Sequence, residues 1–421
     1  MPHSRIAVIG TGIAGLMAAH VLHRSAEVTV YEADSRPGGH AHSHDLTLVD
    51  GTPVTVDSGF IVHNDRTYPT LLRLFRELDI PTRETDMSMS ISGETGWEYA
   101  GGKGPRGLLA DPRTVANATY LRMLAEVKGF HRAARELLDN PADDSELSIE
   151  EWIGHQSYSS AFRDHFMRPV IAAVWSCSPH DALAYPARSL LTFLDHHGML
   201  SVTGSPRWRT VEGGSRTYVH RVLDALPDVR LGTPVTCIER QAAGVVVHDA
   251  HGARGQFDKA VIAVHPHQAL AMQPHLGERT RNVLGALTYS RNQALLHTDT
   301  RLLPRHRGAR ASWNYRTTAQ PHEPVLVTYD LTRLHRLPSP RGQRILVTLN
   351  GSDAVDPGQV LAEMSYEHPL YTATALAAQR ALPEICDDVV AYAGAYHGWG
   401  FHEDGALSGL RAAERLGGSW T

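Results

Sequence analysis

The sequence has few cysteines, few lysines and no long apolar run, and each shortage excludes a class of protein. Its three cysteines, Cys177, Cys237 and Cys386, form neither a CxxC pair nor an even disulfide set, which favours a reducing, cytoplasmic setting. No window approaches the roughly 18 apolar residues of a membrane-spanning helix, so we expect any membrane contact to be peripheral. The net charge of -5 offers no basic stripe, and we expect no nucleic-acid partner.

The length and composition are those of a folded protein with more than one domain. The chain has 421 residues, whereas a domain usually contains roughly 100 to 200. Its hydrophobic fraction of 42% is enough for a sizeable core, which excludes a largely disordered chain. Two domains fit this length.

The first 32 residues have the pattern of a βαβ unit. We predict a buried strand at Arg5–Ile9, a glycine turn at residues 10–15, a helix at 16–24 and a second strand at Glu27–Tyr31 that ends at Glu32. A strand, a Gly-x-Gly-x-x-Gly turn, a helix and an acidic residue about 20 positions later form the dinucleotide-binding fingerprint.

Each residue of this fingerprint has a physical task. Gly10 permits the tight turn, Gly12 lets a pyrophosphate approach the backbone, and Gly15 lets the helix pack closely on the strand. The phosphates would then lie at the helix N-terminus, where free N–H groups favour anions. Glu32 would accept hydrogen bonds from the adenosine ribose.

The segment after Glu32 favours FAD over NAD. Arg36, Gly38, Gly39 and His40 follow the acidic residue directly and could meet a second stretch of phosphate and ribityl chain. Further on, residues 54–60 predict a strand that enters a glycine turn.

With these motifs the chain resembles the FAD-dependent amine oxidase and phytoene desaturase superfamily. In that group the paired glycines of an Arg-x-Gly-Gly stretch and an Asp-x-Gly turn surround the flavin half of the cofactor. His40 stands here where the group usually has a basic residue after the glycines. The resemblance covers nearly the whole chain, including a second glycine turn at residues 212–215 and a strand whose Val235 backbone would contact adenine.

The closing segment, residues 398–409, resembles the part of the superfamily that places a helix N-terminus against the flavin, and we expect it to lead into a helix at 410–416. Together these motifs imply non-covalently bound FAD. The predicted cofactor-binding residues are Gly10, Gly12, Ile13, Ala14, Gly15, Glu32, Ala33, Arg36, Gly38, Gly39, His40, Asp57, Ser58, Gly59, Val235, Phe401, His402, Glu403 and Asp404.

Within the superfamily the chain is most similar to a bacterial branch of predicted NAD/FAD-binding oxidoreductases. The similarity is carried by Trp-Ser-Cys-Ser at 175–178, Ser-Trp-Asn-Tyr at 312–315 and Gly-Phe-His-Glu-Asp-Gly at 400–405. Some relatives are associated with cyclopropane or methyl-branched fatty-acid metabolism. This implies an elongated, mainly apolar small-molecule substrate, and a lipid-modifying enzyme as a candidate partner.

The resemblance implies an α/β fold in which a Rossmann-type FAD-binding domain carries an inserted α+β substrate domain. We assign residues 1–60, 207–286 and 384–421 to the first domain, and 61–206 and 287–383 to the second. Apolar spacing predicts helices at 68–78, 112–138 and 149–152. Alternating patterns predict strands at 292–299, 325–330 and 345–350.

The catalytic residues stay open at the level of sequence. His402 lies in the closing motif, His297 ends a strand that would run under the flavin ring, and Trp399 would form part of an aromatic wall; these three are candidates. We expect no metal, because His63, the pair 196–197 and the His-x-His at 265–267 lack a carboxylate or third histidine that completes a recognisable spacing.

One absence bears on the reaction. Amine oxidases of this superfamily usually carry a lysine near flavin N5, whereas Gln293 takes that place here and the chain has only Lys103, Lys128 and Lys259. We therefore favour hydride transfer of the dehydrogenase or desaturase type. The alternatives are an FAD-dependent double-bond isomerase, an amine oxidase, and a non-enzymatic flavin-carrying partner of a lipid-modifying enzyme.

Overall fold

A computed structural model describes residues 4–93, 96–140, 147–175, 182–200, 205–317 and 326–420. Of the motif at 175–178, only Trp175 belongs to this part, and Cys177 lies outside the described residues. Among the described residues, no helix is both long enough and apolar enough to pass through a lipid bilayer.

The strands of the described chain fall into five sheets. They are β1 (Arg5–Ile9), β2 (Glu27–Tyr31), β3 (Ser43–Thr47), β4 (Pro53–Asp57), β5 (His63–Asn64), β6 (Thr82–Glu84), β7 (Met89–Gly93), β8 (Tyr99–Gly101), β9 (Trp208–Val211), β10 (Asp228–Arg230), β11 (Val235–Gln241), β12 (Gly244–Asp249), β13 (Arg254–Phe257), β14 (Lys259–Ile262), β15 (Tyr289–His297), β16 (Trp313–Thr317), β17 (Leu326–Asp330), β18 (Leu346–Leu349), β19 (Val360–Pro369) and β20 (Val390–Tyr392).

The α-helices lie mostly between residues 104 and 223 and around the first sheet. They are α1 (Ile13–Leu22), α2 (Pro69–Glu77), α3 (Gly104–Leu108), α4 (Ala118–Asp139), α5 (Ile149–His155), α6 (Ser160–Phe162), α7 (Arg168–Trp175), α8 (Ala187–His196), α9 (Arg216–Leu223), α10 (Pro266–Ala271), α11 (Glu278–Gly285), α12 (Leu331–Leu334), α13 (Ala373–Ala381) and α14 (His402–Arg415). A π-helical turn at Arg163–Met167 joins α6 to α7.

The first large sheet has five parallel strands in the order β10, β2, β1, β14, β20 and contains the βαβ unit of the glycine turn. Strand β1 is central: Val8 pairs with Val30 on one side and Val261 on the other, and all three are fully buried or nearly so. Apolar runs of this kind are typical of parallel strands covered on both faces. The predicted strands at Arg5–Ile9 and Glu27–Tyr31 are confirmed, as is the α/β class with a Rossmann-type unit.

The second large sheet has seven strands in the order β19, β15, β18, β17, β16, β7, β8. All neighbours are antiparallel except β16 and β7. The strand predicted at 292–299 begins three residues earlier and ends two residues earlier, at Tyr289–His297. The predicted division of the chain into two domains stays a prediction.

The closing helix differs from its prediction at 410–416. It begins at His402, eight residues earlier, although it contains Gly405 and Gly409. Glycine disfavours a helix by about 1 kcal/mol relative to alanine. Here the loss is offset because Asp404 Oδ2 accepts a hydrogen bond of 2.9 Å from Phe401 N–H, which satisfies one of the free donors at the helix start.

The two glycines have a packing role against α1. A Cβ at Gly405 would lie 2.6 Å from Ile13 Cγ2, and a Cβ at Gly409 would lie 2.1 Å from the carbonyl oxygen of Ala14. The first helix of the chain therefore packs directly on the last one, with no room for a side chain between them.

We expect Gly409→Ala to lower the free energy of unfolding by about 1–3 kcal/mol, since the new methyl group must displace the α1 backbone. The matched control is Gly129→Ala in α4, where a Cβ would meet no atom within 4 Å. That change should raise stability by about 0.5–1 kcal/mol through helix propensity alone. Chemical denaturation of both variants is the measurement, and equal effects would contradict the packing argument.

Candidate functional site

A cavity of about 950 Å³ lies where the carboxyl ends of the parallel strands face the seven-stranded sheet. Ile9, Tyr31, Ala263 and Gly394 line it at or just after the ends of β1, β2, β14 and β20. Ligands in open α/β sheets bind at this edge, beyond the carboxyl ends of the strands. The opposite wall comes from β15 to β19.

The glycine turn forms one end of the cavity. Its three glycines differ in how much space a side chain would have at each position. Gly10 has φ +101°, and a Cβ there would lie 2.6 Å from the Ala263 carbonyl oxygen. A Cβ on Gly15 would lie 1.9 Å from the Gly10 carbonyl oxygen, so Gly15 serves helix packing and does not line the cavity. A Cβ on Gly12 would meet no protein atom within 4 Å. Gly12, with Ile13 and Ala14, lines the cavity at the N-terminus of α1.

Glu32 is fixed beside this turn. Its Oε2 accepts a 2.9 Å hydrogen bond from Thr11 N–H and a second bond from the Thr11 hydroxyl, while Oε1 accepts from Asp34 N–H at 3.0 Å. The carboxylate lines the cavity together with Ala33 and Asp34. Sequence reasoning missed Thr11 and Asp34, although both lie within the fingerprint region.

The loop at residues 36–40 is held by Arg36. Its guanidinium donates to the carbonyl oxygens of Pro37, Gly39 and Ala41 at 2.9–3.2 Å. Gly38 has φ +109° and lies behind the cavity, whereas Arg36, Gly39 and His40 line it. Arg36 therefore shapes this loop in addition to lining the cavity.

Several histidines around the cavity are neutral near pH 7. Burial, and then the nearby rings of His368 and His265, hold the pKa of His40 well below its usual value. Burial also lowers the pKa of His265 and brings that of His368 to about 4. These rings can exchange hydrogen bonds in the cavity but add no positive charge there.

Asp57 does not line the cavity but holds two motif segments together. Its buried carboxylate accepts hydrogen bonds from Ser215 N–H at 2.8 Å, from the Ser215 hydroxyl at 2.7 Å and from the Ser43 hydroxyl at 2.6 Å. It thereby anchors the second glycine turn at the start of α9. Ser58 and Gly59, its neighbours in sequence, do line the cavity.

A chain of polar groups leads from the cavity towards the surface. The Tyr366 hydroxyl lies 2.7 Å from Ser58 Oγ, which lies 2.8 Å from His44 Nε2. The same tyrosine hydroxyl lies 3.1 Å from His42 Nδ1. Tyr366 and Ser58 line the cavity, while both histidines are half-buried, so these hydrogen bonds connect the cavity with two partly exposed imidazoles.

The N-terminus of α14 faces the cavity through Phe401 and His402. The His402 ring stacks on Phe60 at 3.7 Å, and its Nε2 lies 2.7 Å from the Tyr218 hydroxyl. Burial lowers the pKa of His402 to about 3. A second proton on this ring is disfavoured, so its surroundings suit a neutral hydrogen-bonding group better than a base.

Glu403 and Asp404 occupy the first turn of α14 and do not line the cavity, contrary to the role predicted for them. Glu403 accepts hydrogen bonds of 2.9 Å from the N–H groups of Thr70 and Leu71, and so caps the start of α2. Asp404 is committed to Phe401 N–H. Because the helix begins at His402 and not after residue 409, both carboxylates are used for helix starts.

Of the two remaining catalytic candidates, His297 lies away from the site. Tyr289 and Arg291 of β15 line the cavity, but His297, at the other end of that strand, does not. Its ring nitrogens bond to the Thr348 hydroxyl at 2.7 Å and Asp299 N–H at 3.1 Å. Trp399 does line the cavity, with its ring 5.2 Å from that of His196.

The lining also contains residues that were not predicted as cofactor contacts. Val235 was predicted, but Thr233, Pro234 and Thr236 line the cavity beside it. The end of β19 contributes five residues that only the pairing of β19 with β15 brings here. These are Ser365, Tyr366, Glu367, His368 and Pro369.

This arrangement fits FAD. The glycine turn leaves open space at Gly12 where a side chain would otherwise lie, a carboxylate is fixed beside it, and two helix N-termini, those of α1 and α14, face the same cavity. Free backbone N–H groups at helix N-termini bind anionic groups. The individual cofactor contacts stay predictions.

The family model for the flavin containing amine oxidoreductases matches residues 13–417, nearly the whole chain. Solved structures show the same fold. The chain is 17% identical to cyclohexylamine oxidase from Brevibacterium oxydans IH-35A, with a TM-score of 0.68 and 99% of each chain covered. It is also 17% identical to a CLA-producing fatty acid isomerase from P. acnes, with a TM-score of 0.70 and 98% and 99% covered. Wild-type putrescine oxidase bound to putrescine is again 17% identical, with a TM-score of 0.67 and 98% of each chain covered.

We expect Gly12→Asp to yield folded but colourless protein, because the new carboxylate would occupy the space that suits the pyrophosphate. The matched control is Gly277→Asp at the start of α11. Both glycines precede a helix with extended backbone, at φ -60° and -61°, and a Cβ at either meets no atom within 4 Å. Flavin absorbance after purification is the measurement. Equal colour in the two variants would contradict the assignment of Gly12.

Asp404→Asn should change how stability depends on pH. Burial raises the pKa of Asp404 to about 7, helped by the charge of Glu403 and opposed by the Phe401 hydrogen bond. The neutral carboxyl group therefore contributes stability below about pH 4, and this contribution is lost as the pH rises through about 7.

An asparagine stays neutral and keeps an oxygen acceptor for Phe401 N–H. The melting temperature of the variant relative to wild type should thus rise from about pH 5 to about pH 8. The exposed Asp353→Asn serves as control and should show no such trend. A constant difference for Asp404→Asn would contradict the raised pKa.

Proposed function

The chain belongs to the flavin containing amine oxidoreductase family, and we propose that this FAD-dependent oxidoreductase acts on an elongated, mainly apolar substrate such as a fatty-acyl chain. One observation carries the proposal. Aromatic side chains from separate segments converge on the cavity. They include Trp175, Trp208, Trp313, Tyr329, Trp399 and Phe401.

The charges in the cavity support an apolar substrate over a cationic amine. Among the described lining residues, the carboxylates are those of Glu32, Asp34 and Glu367. Glu32 and Asp34 belong to the nucleotide end, and Glu367 lies beside His265 at the solvent-accessible rim of the cavity, 2.8 Å from its Nδ1. An ammonium group next to the aromatic lining would lack an opposite charge, whereas an alkyl chain needs only apolar surface.

The lysines and Gln293 lie elsewhere. Lys103 donates to the Gly308 and Arg310 carbonyl oxygens, and Lys259 donates to that of Leu416. Gln293 does not line the cavity and donates to Glu363 Oε1 at 2.5 Å. No lysine is among the described lining residues, which agrees with the proposal that amines are poor substrates.

Bound FAD supplies the hydride acceptor, and the chain supplies position and proton transfer. The N-terminus of α1 would hold the pyrophosphate, Glu32 the ribose and the Val235 backbone the adenine. The aromatic lining would orient the alkyl chain and exclude water. Our candidate for proton transfer is a relay in which the Tyr366 hydroxyl takes a proton while it donates its own to Ser58 Oγ, and Ser58 donates its own to His44 Nε2.

An isomerase is the second candidate function. One solved relative of the same fold is a fatty acid isomerase, whereas two others are amine oxidases, so the fold alone does not choose among these reactions. The aromatic lining suits an isomerase of apolar chains equally well. The two reactions differ in whether the flavin stays reduced, because an isomerase returns the hydride to the substrate.

Anaerobic mixing of the yellow protein with fatty-acyl compounds of increasing length tests both proposals. We expect tighter binding by about fourfold for each added methylene that is buried, corresponding to about 0.8 kcal/mol. Lasting bleaching of the flavin indicates oxidation, and product without lasting bleaching indicates isomerisation. Faster flavin reduction by small amines, or turnover independent of alkyl length, would contradict an apolar substrate.

Trp399→Ala should weaken the binding of long chains more than that of short ones, while flavin absorbance stays unchanged. Trp97→Ala is the control, because Trp97 lines a separate small surface pocket of the described structure.

A further inference from the structure

The sequence shows a His-x-His pair at residues 265–267 without a third metal ligand nearby in the chain. In the folded structure, the carboxylate of Glu367 lies beside this pair. His265, His267 and Glu367 place a ring nitrogen or carboxylate oxygen each within 4.8 Å of one another. This is the one group of three metal-ligating side chains, drawn from histidine, cysteine, aspartate and glutamate, within the residues that the structure describes.

The three side chains come from two segments that are about a hundred residues apart in the sequence. His265 immediately precedes α10, His267 lies in its first turn, and Glu367 lies near the end of β19. His265 Nδ1 is 2.8 Å from Glu367 Oε2, and His267 Nε2 is 3.6 Å from the same oxygen. The donors thus converge on one point.

The group is positioned by its surroundings and remains reachable from solvent. The His265 ring stacks on the Tyr289 ring at a centroid distance of 4.4 Å. The backbone N–H of His265 donates to Gln268 Oε1 at 3.1 Å. The side chains of His265, Glu367 and His267 are 30%, 23% and 55% exposed. His265 and Glu367 also line the cofactor cavity, so the group lies at its rim.

The donor set selects a class of metal. Two imidazole nitrogens and one carboxylate oxygen suit Zn²⁺ and neighbouring first-row divalent ions, whereas Ca²⁺ and Mg²⁺ prefer oxygen donors alone. Three protein ligands leave at least one coordination position open to water or to another ligand.

One positive charge opposes binding. The Arg291 guanidinium lies 3.8 Å from Glu367 Oε1, but its side chain is 78% exposed and can turn towards solvent. The His40 ring lies 6.4 Å from that of His265 and is neutral. The negative charge of Glu367 therefore remains available to a bound cation.

We propose that His265, His267 and Glu367 form a binding site for a divalent transition-metal ion of the Zn²⁺ type at the rim of the cofactor cavity. This site is separate from the proposed substrate and needs neither substrate nor turnover to be observed. Its absence would leave FAD binding and the proposed reaction untouched.

The test uses tag-free holoprotein titrated with Co²⁺, followed by its ligand-field absorbance, and then with Zn²⁺ in competition. His267→Asn should weaken Co²⁺ binding by at least about tenfold, since loss of even a supporting partner of a ligand costs roughly 10–100-fold. Glu367→Gln should have a similar effect. His275→Asn, at an exposed histidine outside the group, should leave Co²⁺ binding unchanged.

Arg291→Ala should strengthen binding, because it removes the competing cation from Glu367. This gain cannot come from misfolding. Flavin absorbance of His267→Asn should match that of wild type, which shows that the variant keeps its cofactor and fold. The proposal is overturned if wild type gives no saturable Co²⁺ spectrum, or if His267→Asn and His275→Asn bind Co²⁺ as tightly as each other.

Discussion

The close contact between the first and last helices is the constraint on which the rest of the structure depends. Gly405 and Gly409 allow α14 to lie directly on the backbone of α1 near Ile13 and Ala14. This contact brings the glycine turn and the closing segment, almost four hundred residues apart, to the same cavity. A single added methyl group at Gly409 would separate the two helix N-termini from the positions that suit one extended cofactor.

Burial lowers the pKa values of His40, His368 and His402, so these rings are neutral near pH 7, and the Arg36 guanidinium donates mainly to backbone carbonyl oxygens. The cavity therefore has little side-chain positive charge for an anionic cofactor. We expect backbone N–H groups at the start of α1 to bind the phosphates instead, which would require the restricted geometry of the glycine turn.

The same cavity is also lined by aromatic side chains, which bear on the substrate and not on FAD binding. FAD binding follows from the turn and the family, whereas the substrate depends on side chains from the seven-stranded sheet and from the helical segment ending at Trp175. Proteins with this fold act on amines and on fatty acids. In this chain the described carboxylates of the cavity lie at the nucleotide end or at the rim beside His265, and our proposal of an apolar substrate rests on this placement.

The sequence by itself determined the βαβ unit, FAD as cofactor and the family, because these depend on local spacing: apolar strands, glycines at a turn and an acid at a strand end. Local spacing did not predict contacts between residues that are far apart in the sequence. It did not predict that Glu403 caps α2, that His297 is absent from the cavity lining, or that Glu367 meets His265. Those outcomes were decided by the tertiary structure alone, because strand pairing and helix packing determine which distant side chains share a space.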